Sequence, residues 1–422
     1  MTSLLAPAIS PLLEAPEARE VEALVAHLAE SLWEARGGLQ GGLSSGPAGV
    51  ALFLGHLSRR RGFEGWREPA LRLLEAAVEG LGSLRESGLY AGYTGIAWAV
   101  EHLQAEVFGR EDGEDPNAEV DEVLVEHLQA GPWSGSYDLV SGLVGLGVYG
   151  LVRVGRPTGR AVLEAVLAQL ERRARPSGPG LAWASPAEVP PGMRGSTPPA
   201  EQWNLGVAHG IPGVLGLLAR MAAKGIGEGR ALRLYEGGMS WLRAHLQPAG
   251  TGSRLAAREP IQEGPVPPRR CRVAWCYGDL GASVVLLAGA RQLGRPEDEA
   301  LALELARCAA ARPLETSSVL DACLCHGSLG NAHLFNRLHR MTGEAVFADV
   351  ARAYLRDGLA RRRPGQGFAG FHHHLPAVEG YRTESVEEPS AGLLEGAAGL
   401  GLALLSALEG GDAGWDGFLL PG

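Results

Sequence analysis

Two cysteines and a histidine in the second half of the chain have the residue types of a metal site. Cys276 lies in AWCYGDLG, and Cys325 and His326 lie in LCHGSLGN. Thiolate and imidazole are ligands that Zn²⁺ prefers, and three protein ligands leave the fourth tetrahedral position open, as in catalytic zinc sites. No short zinc-finger spacing joins Cys276 to Cys325, so spacing alone leaves open that each cysteine is a small buried apolar residue.

This ligand set indicates the reaction that such a zinc would favour. A hydrolytic zinc usually has histidine and carboxylate ligands, which leave the ion able to lower the pKa of water to about 7. Two thiolates instead neutralise the ion. A substrate thiol in the fourth position would lose its proton and still carry an electron-rich sulfur. The set therefore favours activation of a thiol for alkylation.

Four further polar residues accompany the predicted ligands: Asp138 in YDLVSGLVG, His209 in WNLGVAHGIPG, and Arg272 and Tyr277 on either side of Cys276. His209 is the best acid/base candidate, because an unperturbed imidazole has a pKa of about 6.5. Asp138 could orient it or accept a proton, Arg272 could stabilise a developing oxyanion, and Tyr277 is a weaker proton relay. The alternatives are a core histidine, a helix N-cap at Asp138 and a surface charge at Arg272.

Regularly placed glycines suggest the elements that position these residues. Seven times a G-x-x-G pair opens an apolar segment, at intervals of 46 to 69 residues. The pairs are Gly46/Gly49, Gly92/Gly95, Gly142/Gly145, Gly210/Gly213, Gly278/Gly281, Gly327/Gly330 and Gly396/Gly399. The segments that follow, such as GVALFLGHL, are apolar nearly all round, as a helix buried on every side is. Between them lie amphipathic helical patterns such as LRLLEAAVEGL at 71–81.

One buried and one amphipathic helix in each repeat predict a helical hairpin. Seven hairpins with the buried helices inside form an all-α fold, an α/α toroid, in one domain over residues 1–422. Roughly the first 15 residues are expected to be flexible. Small residues at each inner-helix start would let neighbouring helices approach closely. An open solenoid is the alternative; closure is favoured because the last repeat, LLEGAAGLGLALLSAL, lacks a polar capping face.

Three Pro/Gly-rich insertions lengthen the repeats, at 175–202, 247–270 and 361–390. Each precedes an inner helix, so all three are expected to surround one mouth of the ring. The polar residues described above lie within six residues of a first glycine and should converge there. The third insertion contains His372–His374, for which a solvated loop is favoured over peptide contact and over a second metal site.

The register of the repeats favours a shared site for two of the cysteines. Cys276 and Cys325 both stand two residues before a first glycine, whereas Cys271 and Cys323 lie out of that register and are interpreted as structural. The first, second and seventh repeats have neither histidine nor cysteine just before the first glycine; the residues there are Ser45, Ala91 and Glu395. The chemistry is therefore assigned to the third to sixth repeats.

Composition and charge exclude several classes of protein. The chain has 422 residues, of which 45% are hydrophobic and 20% charged, so it can bury a large core. The net charge is −10 with no basic stripe, so nucleic acid is not an expected partner. The N-terminus lacks the charged region of a signal peptide, and the apolar run at 139–152 is shorter than the roughly 20 residues that span a bilayer. Five cysteines favour free thiols. A cytoplasmic monomer is expected.

The motifs WNLGVAHG, AWCYGDLG and CHGSLGN resemble the signature motifs of the lanthionine synthetase C-like family of lanthipeptide cyclases, and the resemblance extends through all seven repeats. It implies an α/α toroid with a zinc held by two cysteines and a histidine. The positions that match the family's functional residues are Asp138, His209 and Arg272, and, as zinc ligands, Cys276, Cys325 and His326. One departure is Asp279-Leu280, where related cyclases tend to have a basic or small residue and then proline; we expect it to alter the local turn or the choice of substrate.

The resemblance also implies a reaction and partners. A cysteine thiolate of a precursor peptide adds to the β-carbon of dehydroalanine or dehydrobutyrine, and protonation of the enolate at Cα leaves a (methyl)lanthionine thioether ring. The implied partners are the dehydrated precursor peptide, a separate dehydratase and a membrane transporter. The protein would then lie at the periphery of a membrane-associated complex for antibiotic biosynthesis.

Two other functions remain open from the sequence. The first is another zinc thiol-alkyltransferase, adding glutathione to dehydrated peptides or transferring a prenyl group, although the order of the motifs disfavours prenyl transfer. The second is a non-catalytic toroid that binds a partner as a scaffold. The peptide, the ring pattern and the stereochemistry are not specified by these residues.

Overall fold

A computed structural model describes residues 12–109, 115–186, 200–262, 264, 266–375, 384–409 and 414–421. Parts of all three insertions, and most of the N-terminal segment expected to be flexible, lie outside these ranges. Within them the chain forms fourteen α-helices. In chain order they are α1 (Ala15–Glu34), α2 (Pro47–Leu57), α3 (Arg67–Glu79), α4 (Tyr93–Leu103), α5 (Ala118–Gln129), α6 (Leu143–Val152), α7 (Pro157–Arg173), α8 (Ile211–Ala223), α9 (Arg230–Ala244), α10 (Asp279–Leu293), α11 (Pro296–Ala310), α12 (Ser328–Thr342), α13 (Ala345–Ala360) and α14 (Ala397–Leu408).

The even-numbered helices are the predicted inner helices, and each begins directly after the first glycine of its pair. Every residue of α2 is buried, as is all of α14 except Leu408. The odd-numbered helices are amphipathic. In α3 the buried residues are Ala70, Leu73, Leu74 and Ala77, which is the i, i+3, i+4, i+7 spacing of one helix face.

Each inner helix contacts the next around the ring, and α14 contacts α2. The ring is therefore closed, the α/α toroid is confirmed, and the open solenoid is excluded. Outer helices α3, α7, α9, α11 and α13 pack on the inner helix that precedes them. The pairing differs at two places: α5 packs mainly on α7, and the partner of α14 is α1 from the start of the chain.

The loops that precede the inner helices form a continuous belt of backbone hydrogen bonds around one end of the ring. Each loop bonds to the next across all seven interfaces, with N···O distances of 2.7–3.4 Å. In order around the ring, the bonds are Ser44 N to Tyr90 O, Tyr90 N to Val140 O, Leu139 N to Ala208 O, Ala208 N to Cys276 O, Trp275 N to Cys325 O, Cys325 N to Leu394 O, and Leu393 N to Ser44 O. Two predicted metal ligands are members of this belt.

The second glycine of each pair lies against the chain's own preceding loop. A Cβ on Gly95 would overlap the carbonyl oxygen of Leu89, six residues earlier, and would also meet the Cβ of Leu43 in the neighbouring repeat. Neighbouring repeats thus approach each other closely at this glycine, as expected, but the closest approach is to the preceding loop of the same repeat. Among the first glycines, Gly278 has a φ of +93°, a conformation that favours glycine.

Seven short strands occur in the described parts of the insertions and were not predicted. They are β1 (Arg175–Ser177), β2 (Gly180–Ala182), β3 (Ala184–Pro186), β4 (Glu201–Asn204), β5 (Arg258–Pro260), β6 (His373–Leu375) and β7 (Val386–Glu388). Antiparallel pairing in the order β3-β4-β5 joins the first insertion to the second, and β6 pairs with β7 within the third. Strands of three or four residues are too short to show a recognisable alternation.

A short 3-10 helix at Trp415–Leu419 lies inside the ring. Tyr90, Arg220 and Trp275, from three different repeats, donate hydrogen bonds of 2.7–2.9 Å to backbone carbonyls of residues 418–420. In the described part of the chain, no helix combines the length and the apolar character that a membrane crossing requires.

Candidate metal centre

The predicted triad comes together at the belt. The Sγ atoms of Cys276 and Cys325 and one ring nitrogen of His326 lie within 4.8 Å of one another. Both cysteines are buried and His326 is partly buried. Cys276 accepts the backbone bond from Ala208, and Cys325 uses both its N–H and its carbonyl in the belt, so the three donors are held by backbone that the ring itself fixes.

Hydrogen bonds, burial and nearby charges shift the pKa values of all three donor side chains. The hydrogen bond from Cys325, followed by those of His326, holds the pKa of Cys276 well below its usual range, despite burial. The same hydrogen bond, with burial, raises the pKa of Cys325. Burial lowers the pKa of His326, but the hydrogen bond with Cys276 and nearby negative charges, Glu395 among them, raise it overall.

A cavity of about 390 Å³ opens beside the triad. Tyr90, Val140 and Trp275 contribute to its apolar wall. The chemically active side chains on its surface are His209, Cys276, Tyr277, Cys325, His326 and Glu395. Four of these, His209, Tyr277, His326 and Glu395, each stand immediately before the first glycine of their repeat.

Asp138 lies behind His209 and holds it. Its Oδ2 is 2.7 Å from Nδ1 of His209, while its Oδ1 accepts hydrogen bonds from the backbone N–H and the hydroxyl of Ser141. Asp138 is therefore not the N-cap of α6, which is Gly142. One of its oxygens supports the turn before α6 and the other supports the imidazole. Burial raises the pKa of Asp138, but the hydrogen bond and charge of His209 outweigh it, so the pKa lies below its usual value.

Tyr277 is fixed from two sides. Its hydroxyl accepts hydrogen bonds of 3.1 Å from Nδ2 of Asn204 and from a guanidinium nitrogen of Arg258 on β5. The same guanidinium lies 5.3 Å from the centre of the Tyr277 ring. Gly206 leaves room for this arrangement, because a Cβ there would overlap the ring of Tyr277 and the carbonyl oxygen of Cys276.

Arg272 is exposed and is not among the described residues that line the cavity. Its positive charge is near enough to contribute to the lowered pKa of Cys276, after the larger effects of Cys325 and His326. The departure at Asp279 has a visible role: its carboxylate accepts the backbone N–H groups of Arg254 and Leu255 and so anchors the second insertion beside the turn at Gly278.

The third insertion adds a second group of donors beside the triad. Asp321, Cys323, His326 and His373 have donor atoms within 4.8 Å of one another. His373 is buried, with Nδ1 3.1 Å from Oδ2 of Asp321. The prediction of a solvated loop is therefore wrong at this residue, because its imidazole contacts the carboxylate of Asp321 instead of water. Cys323, interpreted as structural, accepts the backbone N–H of His326 through Sγ at 3.4 Å.

Sequence reasoning missed Asp321, His373 and Glu395 as parts of this site. Glu395 had a usable signal, since it occupies the same register position as His209 and His326. His373 lies in the His372–His374 run, for which a second metal site was the least favoured alternative, and Asp321 had no signal, because their meeting depends on the path of an insertion.

The family model for lanthionine synthetase C-like proteins matches residues 39–420. The chain belongs to the lanthionine synthetase C-like family. The structure of nisin cyclase matches with a TM-score of 0.70 and 19% identity, over 96% of this chain and 98% of that one. At this identity the match shows a shared fold. A sugar epimerase from a ruminal bacterium matches with a TM-score of 0.48 and 9% identity, over 93% and 98% of the two chains. No curated protein matches in sequence.

The residues present in this family member fit a zinc ion. Two sulfur atoms and one imidazole nitrogen form a donor set that zinc prefers, and all three side chains face one cavity, where a fourth ligand could enter.

Proposed function

We propose that this protein is a zinc-dependent lanthipeptide cyclase, which adds cysteine thiols of a dehydrated peptide to dehydroalanine or dehydrobutyrine. One observation carries the proposal. Cys276, Cys325 and His326 meet at a cavity that also contains an aspartate-supported imidazole, His209. A thiol-activating donor set and an acid/base group are the two requirements of this addition.

When bound, Zn²⁺ supplies a lowered thiol pKa and a sulfur nucleophile at neutral pH. The residues that would hold it are Cys276, Cys325 and His326. The cavity wall formed by Tyr90, Val140 and Trp275 would exclude water around the acceptor alkene.

His209 is the group that would move protons. Asp138 accepts the Nδ1–H of His209, which leaves proton exchange with the substrate to Nε2. In one step His209 would take the thiol proton, and in the next it would return a proton to Cα of the enolate. Tyr277 is within the same cavity and, held by Arg258, could donate to the enolate oxygen. Arg272 would act at longer range, through its charge.

The proposed partners follow from this chemistry. The substrate is a precursor peptide whose serines and threonines have been dehydrated by a separate dehydratase, and a membrane transporter would export the product. We propose a cytoplasmic monomer at the periphery of that machinery.

Cys276→Ala tests the proposal. Purified protein is expected to hold about one zinc per chain and the variant almost none, and the rate of ring formation is expected to fall by about 100-fold or more. Ring formation is measured by mass spectrometry as the loss of free thiols from a dehydrated cysteine peptide. Cys308→Ala is the matched control, since Cys308 is a partly buried cysteine on the outer helix α11.

Parallel reactions with glutathione and with a prenyl diphosphate distinguish the other thiol-alkyltransferases. Retention of ring formation by a folded Cys276→Ala would overturn the proposed zinc-dependent mechanism. Absence of ring formation in the zinc-loaded wild type would instead favour the scaffold role.

A further inference from the structure

A single carboxylate, that of Glu395, lines the cavity within the described part of the chain. Its side chain is 50% exposed, so the charged group faces the space that a substrate would enter. No lysine or arginine is among the described lining residues. Arg258 is engaged with the Tyr277 hydroxyl, and Arg272 is exposed.

Glu395 is held in place by a buried pair. Oε2 of Glu395 lies 3.5 Å from Nε2 of His373, and Nδ1 of His373 lies 3.1 Å from Oδ2 of Asp321. Both His373 and Asp321 are only 5% exposed. Asp321 is fixed in turn by the backbone N–H groups of Cys323 and His374. The carboxylate at the cavity therefore has a defined position.

The charge of this group is negative in either state of the imidazole. Asp321 and Glu395 contribute two negative charges, and His373 contributes at most one positive charge. The two thiolates of Cys276 and Cys325 would neutralise a bound divalent ion, so Glu395 gives its wall of the cavity a negative potential. An incoming thiol with its own carboxylate would meet like charge.

We propose that Glu395 selects the thiol by charge: the cavity accepts peptide cysteines without acidic neighbours and rejects acidic thiols of the glutathione type. The inference rests on the proposed function in taking the substrate to be a thiol. It also separates the cyclase from a glutathione transferase, which would have to place carboxylates beside Glu395.

The first test measures the local charge without any catalytic reaction. In metal-free protein, Cys276 and Cys325 are alkylated with iodoacetate, which is anionic, or with iodoacetamide, which is neutral, and the modified peptides are quantified by mass spectrometry. Glu395→Gln is expected to raise the rate ratio of iodoacetate to iodoacetamide by about fivefold, the effect of one nearby charge in water-like surroundings. Any change in thiol pKa affects both reagents equally and cancels in the ratio.

Glu388→Gln is the matched control, because Glu388 is an exposed carboxylate on β7 of the same insertion and does not line the cavity. It is expected to leave the ratio unchanged. An unchanged ratio in folded Glu395→Gln would overturn the inference, as would an equal rise in both variants.

The second test uses the zinc-loaded protein and a peptide that contains dehydroalanine. The wild type is expected to add N-acetylcysteine amide faster than N-acetylcysteine, which carries a carboxylate, and Glu395→Gln to reduce that preference by about fivefold. An unchanged preference would count against the inference. If the wild type adds no thiol, the proposed function fails, while the alkylation ratio still decides whether Glu395 sets the charge of the cavity.

Discussion

Two aspartate–histidine pairs flank the same cavity and differ in what the imidazole can reach. In the Asp138–His209 pair the histidine side chain is 36% exposed and lines the cavity. In the Asp321–His373 pair the histidine is 5% exposed and meets Glu395 instead. The two imidazoles thus differ in exposure, and under the proposed function only the exposed one can exchange a proton with a substrate.

The different surroundings have a structural origin. His209 stands at the end of a belt loop, just before the first glycine and α8, the same position from which Tyr277, His326 and Glu395 line the cavity. His373 lies on β6 in an insertion that covers the loop before α12. Under the proposed function, the repeat supplies the position of the acid/base group, and the insertion supplies a supporting contact.

The largest expected effect separates the two histidines by rate. His209→Gln should lower kcat for ring formation by about 10²- to 10⁴-fold, the usual contribution of a positioned acid/base group. His373→Gln should lower it less than about tenfold, because His373 is buried and does not line the cavity. Single-turnover kinetics by mass spectrometry measure both variants, with zinc content as the control. Equal losses in the two variants would show that the buried pair also takes part in proton transfer.

A smaller effect separates the two aspartates by stability. Asp321→Asn places an amide N–H₂ against buried donors of His373 and His374, so the free energy of unfolding should fall by about 2 kcal/mol. Asp138→Asn should cost about 1 kcal/mol, since its partner His209 is partly solvated. Urea unfolding followed by circular dichroism measures the difference, and the reverse order would contradict the assignment of a supporting role to Asp321.

The smallest effect concerns pH. Burial raises the pKa of both aspartates, but hydrogen bonding to His209 and His373 outweighs it, so both pKa values are lowered in the folded state. As the pH falls, these two carboxylates therefore bind protons in the unfolded chain before they do so in the folded protein. The stability that they contribute is fully present above about pH 4 and is lost as the pH falls below it. Each aspartate contributes at most about 1.4 kcal/mol per pH unit.

Urea titrations of metal-free protein between pH 3 and 5 test this dependence. Each Asp→Asn variant should flatten the dependence of the free energy of unfolding on pH. Asp321→Asn should do so more, because its partner His373 is buried whereas His209 is partly exposed. If the free energy of unfolding depended on pH in both variants as it does in the wild type, the predicted contribution of the two carboxylates would be wrong.

The sequence predicted the ring and the triad because both follow from one register. The glycine pairs mark the first residue of all seven inner helices, and Cys276 and Cys325 share a position relative to them. Once the helices form a ring, residues in equal register meet at one end. Glu395 follows the same rule, although the seventh repeat has neither histidine nor cysteine at this position.

Other features could not be predicted because they depend on distant parts of the chain. The pairing of α1 with α14 joins the two ends of the sequence, and no local pattern specifies it. The burial of His373 depends on how the third insertion folds back over Asp321. The strands are pairings of three or four residues whose register is set by the loops around them.

The partnership of α1 with α14 also bears on how the chain acquires its shape. Helix α1 is synthesised long before α14, the helix that covers its apolar face, which includes Val21, Leu24, Val25 and Leu28. During translation that face lacks its native partner until α14 has been made. Contacts of such long sequence separation form slowly, so ring closure is expected to be a late event in folding.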